Sequence, residues 1–303
     1  MYMSHVSEYI IPIQIKWCGT SQLERELHDY YATAYRNLRD SFGLNKCDDT
    51  EKYCNDIYLS STRESVISKV ISPLLPIIKE HYDEPNLFFD CYSTAVFNGA
   101  APTYQLMEKV GLKTCIPVAV ENLGGVEFPY ALQLLLKKTD LALNNSIICT
   151  SQIIEEPDLR QNSENYTLGD AVAGVVVTSD KGIINDGYEI RAVIIRQLKD
   201  WGELDVALMS MFKEYQKLNL PNEWNIIHSY NKDLYKRISS LYPNSRLLIR
   251  RENTNVNFGS CDTLVTLSLF EKEFPSKCRG NGSLWVIGRF NTVAQIVLSS
   301  YIN

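Results

Sequence analysis

Three segments of the chain place polar, potentially reactive side chains between an apolar run and a helical pattern. The segments span residues 120–132, 224–231 and 255–263. They include the carboxylates of Glu121 and Glu127, a histidine (His228) and a thiol (Cys261), which are groups that act as general bases and nucleophiles. A turn from a strand into a helix exposes side chains and helix N-terminal amides to a ligand. The sequence therefore predicts the functional site at these three turns.

The elements that must position these turns alternate along the whole chain. Apolar residues at three- or four-residue spacing predict helices at 22–44, 63–81, 100–110, 127–138, 204–218, 231–241 and 263–270. Apolar and β-branched runs predict strands at 86–92, 116–120, 146–150, 173–178, 224–227, 283–287 and 293–298. Pro73 and Pro76 are expected to kink or break the second helix. This alternation predicts the α/β class, with a largely buried sheet in each half.

Composition excludes several classes of protein. The 303 residues include 45% apolar and 22% charged side chains, which is typical of a globular chain and not of a disordered or fibrous one. A net charge of −6 argues against a general nucleic-acid-binding protein. No apolar run reaches the length of a membrane-spanning helix, and the N-terminus lacks the pattern of a secretory signal. We expect a cytoplasmic protein with no membrane or nucleic-acid partner.

The cysteines do not form a recognisable disulfide or metal pattern. They are Cys18, Cys47, Cys54, Cys91, Cys115, Cys149, Cys261 and Cys278. None of their spacings is CxxC, and only four histidines are present, so the sequence predicts no metal site. We expect reduced and mostly buried thiols. Whether one of them is a nucleophile depends on its position in the fold.

Five short motifs follow one another along the chain. They are F-x-Y-A-L at 128–132, G-D-A-V-A-G-V-V-V at 169–177, H-S-Y-N at 228–231, N-F-G-S at 257–260, and a turn that begins at Gly288. In this order they resemble the thiolase superfamily, and within it the β-ketoacyl-acyl-carrier-protein synthase III branch. The corresponding motifs of that family are D-x-x-x-x-C-x-G-F followed by Y-A-L, G-D-G-A-G-A-V-V-L, H-Q-A-N, N-x-G-N and a glycine-rich loop. The resemblance covers about two thirds of the chain, and the first 60 residues differ from the family.

The resemblance implies a fold and a chemistry. It implies a thiolase-like α/β body of two similar halves, 1–182 and 183–303, packed as αβαβα layers. It implies an acyl-CoA or phosphopantetheine thioester as substrate, no permanently bound cofactor, an acyl-carrier protein as partner, and a homodimer or a heterodimer with a related synthase. It assigns His228 as the catalytic histidine and Ser260 to the catalytic asparagine's position. The substrate-binding positions that it implies are Glu127, Asn231, Asn257 and Gly288.

The chain departs from the family at the positions that carry out its chemistry. Counting back from Phe128, the nucleophilic cysteine's position is Gly125, which cannot form a thioester. Ser260 is shorter than the asparagine that it replaces, and the glycine-rich oxyanion loop is the bulkier G-R-F-N-T at 288–292. Of the family's catalytic triad, only His228 is retained.

Several side chains have two interpretations. Cys115, Cys149 and Cys261 are packed thiols or relocated nucleophiles, and Cys261 is the nearest to the predicted site. Glu121 and Glu127 assist His228 or cap the following helix. The basic residues Arg246, Arg250 and Arg251 bind a carrier protein or phosphate, or they form a solvated face. Asp170 is expected to be structural.

Two functions follow from these departures. The first is a degenerate subunit that has lost its own chemistry and pairs with a complete homologue in fatty-acid-like or polyketide-type biosynthesis. The second is an acyltransferase in which His228 acts as general base and moves an acyl group from a thioester to a hydroxyl or amine. Loss of the thiol, the asparagine and the glycine loop favours the first function, and the retained histidine favours the second.

Overall fold

The computed structural model describes residues 1–10, 63–92, 102–121, 123–137, 145–153, 167–227, 232–250, 256–288 and 290–302. The predicted helix at 22–44 and the predicted site residues His228 and Asn231 lie outside these ranges. Arg251 and Arg289 also lie outside them.

The described chain contains strands and helices in alternation. The strands are β1 (Tyr2–Ser4), β2 (Ser7–Ile10), β3 (Leu87–Tyr92), β4 (Ile116–Glu121), β5 (Asn145–Gln152), β6 (Thr167–Leu168), β7 (Ala171–Thr178), β8 (Asp186–Gln197), β9 (Trp224–Ile227), β10 (Arg246–Leu248), β11 (Val256–Asn257), β12 (Asn281–Gly288) and β13 (Thr292–Ile302). The helices are α1 (Arg63–Ile71), α2 (Leu75–Lys79), α3 (Pro102–Val110), α4 (Glu127–Lys137), α5 (Leu204–Gln216), α6 (Lys232–Leu241) and α7 (Asp262–Glu273). No helix in these ranges has the length and apolarity needed to cross a membrane.

The sheet repeats one strand order twice. Its path is β10-β9-β12-β13-β8-β1-β7-β5-β3-β4, and β2 pairs with β7 beside this path. Numbered in chain order within each half, the first half is β1, β3, β4, β5, β7 and the second is β8, β9, β10, β12, β13; both then have the spatial order 3-2-4-5-1. In both halves the fifth strand is antiparallel to the fourth. The halves meet where β1 pairs antiparallel with β8.

The side chains of each strand alternate between the two faces of the sheet, and the helices that pack on these faces form three layers. Leu87 and Phe89 of β3 pack in a central cluster with α4 and α7, whereas Phe88 between them packs with α1 and α3. In β9, Trp224 faces the same central cluster, and Ile227 packs with α5 and α6. Since successive strand residues point to opposite faces, each half of the sheet is covered on both sides. The α/β prediction is confirmed, and the layers follow the order αβαβα.

Local sequence explains several boundaries. The predicted break near Pro73 is observed, because α1 ends at Ile71 and α2 begins at Leu75 with a proline in its first turn. The sequence pattern missed β8, in which Glu189, Arg191 and other polar residues interrupt the apolar run. The predicted division between residues 182 and 183 lies in the turn from β7 to β8 and stays a prediction as a domain boundary.

A glycine makes room for the largest side chain of the central layer. Gly282 on β12 pairs with Trp224 on the neighbouring β9. A Cβ atom at residue 282 would lie 2.0 Å from the indole Cδ2 of Trp224, which is fully buried. The close approach of these strands therefore depends on the absence of a side chain at this position.

Candidate functional site

The turn into α4 is built from two glycines and a buried carboxylate. Gly124 and Gly125 have φ angles of 70° and 112°, which L side chains rarely adopt. Helix α4 then begins at Glu127, with Pro129 in its first turn, where a missing N–H costs no helical hydrogen bond. The backbone N–H of Leu123 donates to Glu127 Oε1 at 2.9 Å, and that of Gly125 donates to Glu127 Oε2 at 3.0 Å.

The Glu127 carboxyl group is completely buried. Burial raises its pKa, and hydrogen bonds from backbone N–H groups, including those of Gly125, Leu123 and Gly124, oppose the rise. The carboxyl group thus binds the turn before the helix, and its predicted assistance to His228 stays a prediction because His228 lies outside the described residues. Its predicted role in substrate binding stays a prediction.

Three of the predicted motifs meet around Gly125. A Cβ atom at this residue would lie 3.5 Å from the carbonyl oxygen of Ile287 and 3.9 Å from the carbonyl carbon of Gly259. A Cβ atom at Gly288 would lie 2.9 Å from Cγ1 of Val126, so the start of the β12–β13 hairpin packs directly on the α4 turn. The segments around residues 125, 259 and 288 are thus in contact although the sequence separates them by up to 163 positions.

The turn from β11 into α7 holds two further predicted residues. Asn257 Oδ1 accepts the backbone N–H of Gly259 at 2.7 Å, and the Asn257 carbonyl accepts Gln152 Nε2 at 3.1 Å. Ser260 follows in a short 3-10 helix and is 2% exposed. The side-chain oxygen of Asn257 therefore shapes the turn, and the assigned roles of Asn257 and Ser260 towards a substrate stay predictions.

A buried ion pair fixes the same turn. Arg250 Nη2 lies 2.8 Å from Asp262 Oδ2 and donates to the Val256 carbonyl at 2.7 Å. The guanidinium also lies 4.5 Å from the centroid of the Phe258 ring. Arg250 is 3% exposed, so its interpretation as part of a solvated face is wrong, and contact with a carrier protein or phosphate stays a prediction. Arg246 is exposed.

The cysteines of the described chain are packed thiols. Free and buried cysteines stand at Cys91, Cys115, Cys149, Cys261 and Cys278. Burial raises the pKa of Cys115 to about 11 and the pKa of Cys261 to about 12. Cys261 also donates its S–H to the Ala171 carbonyl at 3.3 Å. A thiol with such a pKa is protonated at neutral pH and is a poor nucleophile, so the packed interpretation of these cysteines is the one that the structure favours.

The hairpin at residues 288–292, which the resemblance places at the family's glycine-rich loop, is hydrogen-bonded to the end of β8. Gly288 pairs with Thr292, and the Phe290 carbonyl accepts the Thr292 hydroxyl at 3.1 Å. The Asn291 carbonyl accepts the backbone N–H of Leu198 at 2.8 Å. Phe290 is 61% exposed, so this bulky side chain lies at the surface.

The predicted histidine motif follows β9 directly in the sequence. Ile227, the last residue of β9, pairs with Trp285 of β12, three positions before Gly288. His228 and Asn231 follow Ile227 and lie outside the described residues, so their assignments stay predictions.

No family model matches this chain, and no curated protein matches it. Several solved structures match it over nearly their whole length. A variant of OleA from Xanthomonas campestris has a TM-score of 0.67 and 11% identity, covering 99% of this chain and 98% of its own. ChlB3, named an acyltransferase, has a TM-score of 0.66 and 9% identity, with the same coverage. The 3-oxoacyl-(acyl carrier protein) synthase III, FabH, of Xanthomonas oryzae pv. oryzae has a TM-score of 0.62 and 11% identity, covering 99% of both chains.

At such low identity the likeness concerns the fold. The repeated 3-2-4-5-1 sheet and the full-length matches agree with the resemblance drawn from the five motifs. The chain has the thiolase-like fold of the synthase III-type condensing enzymes.

Proposed function

We propose that this chain is a non-catalytic partner subunit of a condensing-enzyme heterodimer in fatty-acid-like or polyketide-type biosynthesis. The observation that carries the proposal lies at the N-terminus of α4. The position aligned with the family's nucleophile is Gly125, and the amide groups around it bind the Glu127 carboxylate. Condensation by this family begins with a thiolate that accepts the acyl group, and neither residue supplies one.

The remaining thiols support the same conclusion. Within the ranges that the structure describes, every cysteine is buried, and the thiols at Cys261 and Cys115 have raised pKa values. A replacement nucleophile needs an exposed thiol with a lowered pKa. The fold is nevertheless matched over its full length, which supports a role that needs the shape of a synthase without its chemistry.

The exposed edge of the sheet at β4 supports pairing with such a partner. Among the described residues, β4 pairs only with β3, and Ile116 on β4 is 55% exposed. Leu134 on the adjoining α4 is 42% exposed. The opposite edge, β10, has three residues and begins with the exposed Arg246, which are features that protect a sheet edge. A second synthase-like subunit is therefore proposed to pair with β4.

The test compares the isolated chain with a co-expressed complex. The chain is produced alone and together with a cysteine-containing synthase III-like protein of the same organism, and native mass spectrometry and turnover with acyl-CoA and malonyl-acyl-carrier protein are measured. We expect a one-to-one complex that is active and acylated only on the partner, and no turnover by the chain alone. Ile116→Arg is expected to weaken the complex, whereas Val206→Arg, at a 73% exposed position on α5, leaves it intact.

The alternative function is an acyltransferase, and the acyltransferase name of the neighbour ChlB3 favours it. In that case His228 acts as general base for a hydroxyl or amine that attacks a CoA or carrier-protein thioester. Turnover by the isolated wild-type chain that disappears in His228→Ala would overturn the subunit proposal.

A further inference from the structure

Glu127 is the first residue of α4, and its carboxylate accepts hydrogen bonds from the turn that precedes the helix. We propose that this carboxylate is an internal anion that holds the turn at residues 123–125 in its present shape and binds the amides that a nucleophile at residue 125 would use. The proposal rests on the proposed loss of the nucleophile at Gly125, and it identifies the group that would keep a thiol at this position from being activated. The contacts from Leu123 and Gly125 place both carboxylate oxygens on the turn.

Steric hindrance does not exclude a side chain at residue 125. The nearest atoms to a Cβ at residue 125 are the Ile287 carbonyl oxygen at 3.5 Å and the Gly259 carbonyl carbon at 3.9 Å, which are ordinary van der Waals distances. A small side chain at residue 125 therefore fits between these two segments. A side chain there is strained instead by the φ angle of 112°, which L residues rarely adopt.

Charge is what distinguishes this turn from a nucleophile site. The free N–H groups at a helix N-terminus stabilise a thiolate and lower its pKa. Here the N–H groups of Leu123 and Gly125, in the turn before the helix, already bind the carboxylate of Glu127, the first residue of the helix. A thiolate at residue 125 would lose these donors and would also lie close to a like charge, which disfavours its ionised form.

The experiment introduces a thiol and then removes the charge beside it. The variants are Gly125→Cys, Gly125→Cys with Glu127→Gln, and the control Gly125→Cys with Glu121→Gln, which removes an exposed carboxylate at the end of β4. The thiolate of residue 125 displaces iodide from iodoacetamide, and peptide mass spectrometry measures this rate against pH separately from the native cysteines. Circular dichroism establishes that each variant is folded.

We expect Glu127→Gln to lower the pKa of the introduced thiol by about 2, since a neighbouring charge moves a pKa by about 1–3. A thiolate of lower pKa is also a weaker nucleophile, so the alkylation rate at pH 7 rises roughly tenfold and not a hundredfold. The Glu121→Gln control is expected to change this rate by less than about twofold. Equal rates in Gly125→Cys alone and in Gly125→Cys combined with Glu127→Gln overturn the proposal.

A second measurement needs no cysteine at residue 125. In Glu127→Ala the amide groups of Leu123 and Gly125 lose their acceptor, so hydrogen–deuterium exchange of the peptide that covers residues 123–127 is expected to become at least about tenfold faster. Unchanged protection there overturns the proposal. Both measurements use the isolated chain and follow a thiol or an amide, so an acyltransferase activity would refute the proposed subunit function without altering either result.

Discussion

His5 lies between two carboxylates at the junction of the two halves of the chain. Its Nε2 is 3.2 Å from Asp186 Oδ2 at the start of β8, and its Nδ1 is 3.0 Å from Glu271 Oε1 on α7. The hydrogen bond to Glu271 is the main cause of a raised pKa of about 9, which burial opposes and Asp186 supports. Replacing His5 by glutamine removes the positive charge and leaves both carboxylates in place.

The size of the effect follows from the pKa shift and the exposure of the group. A rise from 6.5 to about 9 corresponds to about 3.4 kcal/mol for a fully buried group. The His5 side chain is 48% exposed and lines a cavity of about 330 Å³, so solvent screening reduces this contribution to about 1 kcal/mol. Because the folded state has the higher pKa, the stabilisation is complete below pH 6.5 and is lost as the pH rises through 9.

The assay is urea unfolding of the wild type and of His5→Gln at pH 6, 8 and 10. The difference between the two proteins is the relevant quantity, because it removes the pH response that both share; burial raises the pKa values of the neighbouring Tyr188 and Cys278 above the range of the assay. We expect the wild type to be more stable by about 1 kcal/mol at pH 6 and the difference to approach zero at pH 10. A matched control, His81→Gln, replaces an exposed histidine and is expected to show no such trend. A difference that stays constant or grows towards pH 10 would refute the reasoning.

Three further predictions concern buried groups around the candidate site. Asp262→Ala leaves Arg250 buried without its carboxylate and is expected to lower the free energy of unfolding, measured in urea, by about 3–5 kcal/mol. Asp262→Leu combined with Arg250→Met removes both charges and is expected to lower it by less. Equal losses would contradict the ion-pair argument. Cys261 is expected to resist iodoacetamide at pH 8 in the folded protein and to react in urea, as peptide mass spectrometry measures; reaction in the folded state would contradict its raised pKa. Gly282→Ala is expected to destabilise the protein by about 1–3 kcal/mol in thermal unfolding, because its Cβ overlaps Trp224.

The glycine prediction has a control elsewhere in the chain. Gly182 lies exposed in the turn between β7 and β8, and the nearest atom to a Cβ there is Asp180 Oδ1 at 3.4 Å. Gly182→Ala is therefore expected to change the stability by less than about 0.5 kcal/mol. A similar loss in both variants would mean that packing against Trp224 is not the cause.

Local patterns in the sequence identified most strands and helices near the candidate site. The strands β9 and β12 and the helix α4 coincide closely with their predicted ranges, because a continuous apolar run or a three- to four-residue period is a local property. The strand β8 was missed because Glu189 and Arg191 interrupt its apolar residues. Its place between β1 and β13 depends on pairing with strands that are distant in sequence.

The sequence motifs identified segments that meet in the structure. Gly125, Ser260 and Gly288 lie in these segments, and their assigned roles stay predictions. The ion pair of Arg250 with Asp262 was not predicted. The acid at the start of a helix was its only sequence signal, and such an acid is usually explained by the helix dipole alone.

The sequence alone determined the α/β class, the thiolase-like resemblance and the absence of a thiol at Gly125, because these depend on residue identity and short-range periodicity. The tertiary structure decided which segments touch Gly125, that Glu127 binds the amides of its own turn, and that Cys261 is a buried thiol of raised pKa. The physical reason is that burial and hydrogen bonding arise where distant segments pack together. Their effects on charge and reactivity exist only once the 3-2-4-5-1 sheets have brought those segments into contact.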